Sequence, residues 1–206
     1  MIVLHYTAMT SARAACRTLC NPDTEVSAHY LIAESGAVMS LVAEEMRAWH
    51  GGAGRWGDVV DVNSRSIGIE LANDGVSPFS APLMNSLTGL IGAIMARWGI
   101  PAHRVIGHSD MSPGRKIDPG VRFDWRRLAR EGVSVWPQAG QSAPPESFAQ
   151  LMARFGYTAT QDADLLLECF RRRFRPHAVG PLDAADLAMI ADLAQRFPVD
   201  QTAPTA

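Results

Sequence analysis

Cysteine is scarce in this chain: Cys16, Cys20 and Cys169 are the only three among 206 residues. Three thiols cannot close a disulfide framework, so stability has to come from a packed core, and the odd count suits a reducing compartment or buried thiols. Also missing is any run of the roughly 20 apolar residues that spans a bilayer. The opening Met1-Ile2-Val3-Leu4-His5 lacks the charged and apolar regions of a signal peptide. As written, the chain is expected in the cytoplasm; a start further upstream carrying a signal would place it in the periplasm or on the outer membrane. Basic excess is absent too. Lys plus Arg number 19 against 21 for Asp plus Glu, which argues against a phosphate-backbone binder and so against nucleic acid as partner. A monomer is expected.

What is present is core material. Hydrophobic residues make up 47% and charged residues 19%, enough for one catalytic domain and a small appendage. Ile2-Val3-Leu4 reads as a buried strand that delivers His5 at its end. Thr10 or Ser11 caps a helix to about Leu19, stopped by Asn21-Pro22. Strands are predicted over Ala28 to Ala33 and Val38 to Val42, separated by the turn-forming Ser35-Gly36, and again over Ser66 to Leu71. Leu83, Leu87, Leu90, Ile91, Ile94, Met95 and Trp98 recur at helical spacing, so Ala81 to Trp98 is a helix ended by Gly99 and Pro101. Val105-Ile106-Gly107 is a brief strand leading to His108, and Trp125 to Arg130 a short helix. The first unit, residues 1–136, is therefore α/β, a mixed β-sheet flanked by helices.

Residues 137–145, PQAGQSAPP, have no hydrophobic period and read as a linker. Beyond it, three clusters of apolar residues (Phe148 to Phe155, Leu165 to Phe170, Leu187 to Phe197) predict a small three-helix domain over 146–198. Residues 199–206 are expected to be a flexible tail.

Three segments carry candidate chemistry: Leu4-His5-Tyr6-Thr7, Ser66 to Leu71 with Glu70, and the run 107–120, GHSDMSPGRKIDPG. A catalytic zinc site takes about three protein ligands and keeps one position open. His5, His108 and Asp118 can supply them, although each histidine taken alone also reads as a hydrogen-bonded structural residue. Cys16 and Cys20, one helical turn apart, offer a second pair of metal donors, against the plainer reading of small buried thiols. Gly52, Gly54 and Gly57 satisfy G-x-G-x-x-G, but no buried strand precedes them and no amphipathic helix follows, so they read as a loop at a groove rim. His103 and His177 have no motif around them.

The segments LHYTAM, VSAHYLI, RAWHGG, SIGIELAN and GHSDMSPGRKIDPGVRFDW, in that order between Leu4 and Trp125, resemble the type-2 N-acetylmuramoyl-L-alanine amidases, zinc enzymes related to the peptidoglycan recognition proteins. The resemblance implies a single zinc held by His5, His108 and Asp118. It implies Glu70 as the catalytic carboxylate and general base, and Lys116 as a catalytic lysine. It also implies peptidoglycan or muropeptide as partner, with His29, Trp49 and His50 as substrate-binding candidates; for His29 a supporting position behind the metal is equally open. The stretch 146–198 resembles a small three-helix peptidoglycan-binding domain through Phe155-Gly156-Tyr157, Phe170 to Phe174 and Gly180-Pro181-Leu182, the alternative being a helical cap. Two rival functions follow: a non-catalytic peptidoglycan receptor on the same fold, which needs neither metal nor base, and a zinc hydrolase of some other amide.

Overall fold

The computed structural model describes residues 1–138, 140 and 142–200. Ala139 and Gln141 of the expected linker, and residues 201–206 of the expected tail, lie outside the described residues. The opening apolar run forms β1 (Ile2–Tyr6), whose Ile2, Val3 and Leu4 have no exposed surface. Burial on both faces is what a near-continuous apolar strand in a parallel sheet requires. Around it stand β2 (Tyr30–Ile32), β3 (Val38–Ser40), β4 (Ile67–Leu71) and β5 (Val105–Gly107). Their order is β3-β2-β4-β1-β5. All neighbours are parallel except β3, which turns back on β2 through Ser35-Gly36. The α/β class with a mixed sheet is thus the one that forms. The hairpin strands are shorter than the sequence predicts, because Leu41 N and Val42 N share one acceptor, His29 O, and that bifurcation ends the regular ladder.

The helices start and stop on local chemistry. Ser11 Oγ accepts from Ala14 N to open α1 (Ala12–Leu19). Ser80 Oγ accepts from Leu83 N to open α2 (Ala81–Trp98), which Gly99 closes in the left-handed conformation. A single turn, α3 (His108–Met111), follows β5 directly, and α4 (Trp125–Arg130) closes the first unit. The predicted three helices are α5 (Phe148–Phe155), α6 (Ala163–Phe174) and α7 (Ala184–Arg196). Among the described residues no helix is long and apolar enough to cross a membrane.

Side chains alternate across a strand, and β1 shows what each face buries. Ile2 and Leu4 join Leu83, Leu87, Ile91 and Ile94 of α2 in one core. Val3, with Ile106 of β5, faces the other way into a second core that takes in Trp56, Met111, Phe155, Tyr157, Phe170 and Leu193. The helices α5–α7 are therefore the layer covering the second face of the sheet, and the 137–145 connection joins parts that share this core. Polar groups cross the same boundary. Tyr157 Oη donates to Asp110 Oδ1 at 2.6 Å and Arg173 Nη1 to Asp110 Oδ2 at 2.7 Å, with Asp110 only 1% exposed. Val199, assigned to the tail on sequence, is buried; its N–H donates to Arg154 O and its carbonyl accepts from Arg104.

Candidate metal centre

Parallel pairing decides which residues meet. β1 and β4 run in register with His5 opposite Glu70, and β1 and β5 with Leu4 opposite Gly107. His108, the residue after Gly107, therefore emerges beside His5. All three side chains leave the sheet at the carboxyl ends of parallel strands, where open α/β sheets bind their ligands. The loop after α3 then brings back Asp118, whose carbonyl accepts from Ser109 N at 2.9 Å. His5 Nδ1 lies 2.9 Å from His108 Nδ1, and each is 3.0 Å from Asp118 Oδ2. Among the described residues these three form the one cluster of His, Cys, Asp or Glu groups close enough together to hold a metal ion. Cys16 on α1 and Cys20 at its C-cap remain free thiols.

The donor set fits a cation. His108 Nε2 stands 2.8 Å from Gly51 O, and a carbonyl oxygen only accepts, so the ring proton is on Nε2 and Nδ1 is a lone pair. A lone pair facing a carboxylate oxygen at 3.0 Å is repulsive unless a positive charge lies between. Two imidazole nitrogens and one carboxylate oxygen are also a usual zinc set. Burial, reinforced by the His108 ring, pushes the His5 imidazole down to about 4, so it is neutral at pH 7 as a metal ligand must be. Burial works against the charge of Asp118, but the two imidazoles beside it outweigh burial and hold its carboxyl well below the usual carboxylate range.

The triad floors a groove of about 540 Å³ whose walls include Tyr6, Trp49, Glu70, Lys116 and Ile117. Glu70 Oε2 is enclosed with no hydrogen-bond partner. Burial, helped by the Asp118 carboxylate and opposed by Lys116, pushes the Glu70 carboxyl up to about 8. In metal-free protein a native value near 8 against about 4.5 unfolded means that the folded state binds more protons between those limits. Stability from this group is then complete below about 4.5 and is lost as pH rises through 8. Denaturant titrations of metal-free wild type and Glu70→Gln should show the wild type losing ground to the variant over that window; parallel curves would mean that Glu70 ionises normally.

The expected substrate contacts part ways. Trp49 is 52% exposed on the groove wall. His50 is 9% exposed, and its ring turns inward to His5, with Nδ1 3.0 Å from His5 Nε2. His29 has no exposed surface; its Nδ1 accepts from Gly68 N at 2.9 Å and its Nε2 donates to Met46 O at 3.0 Å. With both nitrogens on backbone, His29 clips the 41–46 loop to β4 and has no polar atom left for a substrate. Two residues the sequence reading passed over, Ser66 and Gly68, pack behind His50. A glycine inside a five-residue strand was the available signal, since it marks a close approach by another group.

A family model described as N-acetylmuramoyl-L-alanine amidase matches residues 1–121. The chain is 32% identical to N-acetylmuramoyl-L-alanine amidase AmiD of Escherichia coli K12, over 97% of this chain and 84% of that one. It is 42% identical to 1,6-anhydro-N-acetylmuramyl-L-alanine amidase AmpD of Haemophilus influenzae, over 50% of this chain and 56% of the relative. Among solved structures, the complex of E. coli AmiD with anhydro-N-acetylmuramic acid-L-Ala-D-gamma-Glu-L-Lys superposes with a TM-score of 0.88 at 30% identity, covering 97% of this chain and 90% of that one. AmpDh3 of Pseudomonas aeruginosa in complex with anhydromuramic pentapeptide gives 0.87 at 31%, covering 97% and 92%.

Proposed function

The chain belongs to the N-acetylmuramoyl-L-alanine amidase family, and from that premise we infer how its own residues cut the amide between N-acetylmuramic acid and L-alanine in peptidoglycan and anhydromuropeptides. The enzyme is a zinc amidase. We assign the ion to His5 Nδ1, His108 Nδ1 and Asp118 Oδ2, and the observation that carries this is their convergence to within 3.0 Å on the floor of the groove. When bound, zinc supplies Lewis acidity, bringing the pKa of water toward neutrality and polarising a carbonyl.

The rest is work for the side chains. Glu70, enclosed and unpartnered at Oε2, accepts the proton of the attacking water and returns it to the departing amine of L-alanine. Lys116, half-buried on the groove wall, holds the negative charge that grows on the carbonyl oxygen. Trp49 offers a broad apolar face to the substrate at the rim. Groove and triad come from one chain, which supports a monomer as the working unit. A receptor role on the same fold would leave Glu70 without purpose, since binding alone does not call for an enclosed, unpaired carboxyl. Residues 146–198 resemble a wall-binding module, and their packing on β1, β5 and α3 gives them a second role, steadying the turn that carries His108.

Incubation with a purified anhydromuropeptide should release the free stem peptide, detected by mass spectrometry, and a chelator should stop the release. Glu70→Gln keeps the shape and removes the proton acceptor, so turnover should fall roughly 100-fold or more while zinc remains at one per chain. Near-normal turnover in that variant would move the base to another group in the groove.

A further inference from the structure

The hydrogen bonds behind His5 run in one direction, and the direction is fixed at the far end. Val62 O can only accept. Ser66 Oγ lies 2.5 Å from it and has a single proton, which must point there. Towards His50 Nε2, at 3.2 Å, Ser66 Oγ is then left as an acceptor, so the His50 proton sits on Nε2. A neutral imidazole carries one proton, and among the described residues no carboxylate hydrogen-bonds to this ring to favour a second. His50 Nδ1 is therefore bare. His5 Nε2, 3.0 Å away, has to be the donor, which leaves His5 Nδ1 without a proton and facing Asp118 Oδ2 at 3.0 Å.

We propose that His50 and Ser66 are positioning residues that fix the tautomer and ring angle of His5, so that Nδ1 is presented to zinc as a ready lone pair. The two histidine ligands are thereby anchored differently: His108 by a backbone carbonyl, Gly51 O, and His5 by a side-chain relay that mutation can reach. β4 is built to seat this relay. A Cβ on Gly68 would stand 2.3 Å from His50 Cγ, so only glycine lets the ring lie over the strand edge-on to His5, with ring centroids 5.1 Å apart. Partners of this kind orient metal-binding histidines and raise their basicity. They do so without touching substrate.

The proposal rests on the assignment of His5 as a zinc ligand, and its test separates the two. Zinc affinity is measured by competition with a chromophoric chelator, on variants whose melting curves show a folded chain. His50→Leu, close in volume but unable to accept a proton, should weaken zinc binding about 10- to 100-fold. His50→Asn, whose Oδ1 can take the place of Nδ1 as acceptor, should recover most of that loss, a rescue that a packing role would not produce. Nitrogen-15 spectra of the metal-free protein should show His5 protonated on Nε2 in wild type, and shifted toward Nδ1 or to a mixture in His50→Leu and, less completely, in Ser66→Ala. Ser66→Ala removes one hydroxyl and keeps the ring, so it carries the spectroscopic test even if His50→Leu does not fold. Wild-type affinity in folded His50→Leu, or an Nδ1-protonated His5 in wild-type metal-free protein, would overturn the relay. Failure of wild type to bind zinc would instead sink the ligand assignment and leave the tautomer result standing.

Discussion

Protein carrying His108→Ala is expected to be purified with well under one zinc per chain and with no measurable release of stem peptide. In the proposed site three protein donors hold the ion, and removing one takes away about a third of the protein's chelation together with the geometry that the other two depend on. The position leaves no substitute close by. Cys16 on α1 and Cys20 at its C-cap lie outside the cluster formed by His5, His108 and Asp118. His50 is turned to His5 through Nδ1 and to Ser66 through Nε2. Elemental analysis of the variant gives the answer, with His103→Ala as a control that should keep full zinc and full turnover. A full complement of zinc in His108→Ala would refute the ligand set. A variant that lost zinc but kept turnover would refute the dependence of catalysis on the ion.

Much of this site was legible because its signals are local. Ser80 and Gly99 bracket α2 at the residues where the periodic apolar pattern starts and stops, and capping chemistry is written in the few residues around a helix end. His5 and His108 each follow a short apolar run, and both runs became buried parallel strands. What could not be read locally was the pairing. Nothing in Ile2 to Tyr6 says that its neighbours are β4 and β5, yet that register sets His5 beside Glu70 on one side and level with His108, the residue after Gly107, on the other. The same limit explains the roles expected of His29 and His50. Their motifs place them near a groove, but which way an imidazole turns depends on acceptors far away in sequence, Met46 O for one and Ser66 Oγ for the other. Likewise the apolar faces of α5–α7 were plain as a period, but a period does not name the surface it packs on. That surface includes Trp56, inside a glycine-rich stretch that read as an open loop and is completely buried.

Ending the chain after Trp136 should cost the enzyme its fold and its zinc, so that activity on a soluble muropeptide and on intact sacculi disappears together. A tethered wall-binding module makes the opposite forecast: soluble substrate still cut, sacculi poorly bound and poorly digested. The shared core favours loss of both. Without α5–α7, Val3, Trp56, Ile106 and Met111, all within 1% of full burial, would face water, at about 1.5–3 kcal/mol for each large side chain uncovered. Asp110 would also lose Tyr157 and Arg173, and breaking a buried pair by removing one partner costs about 3–5 kcal/mol. Against a total stability of about 5–15 kcal/mol for a domain, little would remain. The damage is aimed at the metal, because Asp110 also accepts from Gly107 N at 2.8 Å and so holds the turn on which His108 stands. Arg173→Met tests that link without a truncation: it should lower the melting temperature and weaken zinc binding while the module stays attached. Circular dichroism melts and zinc content of both forms decide the matter, and a truncated chain that melts cooperatively, keeps one zinc and still cuts soluble substrate would show that the amidase unit stands alone.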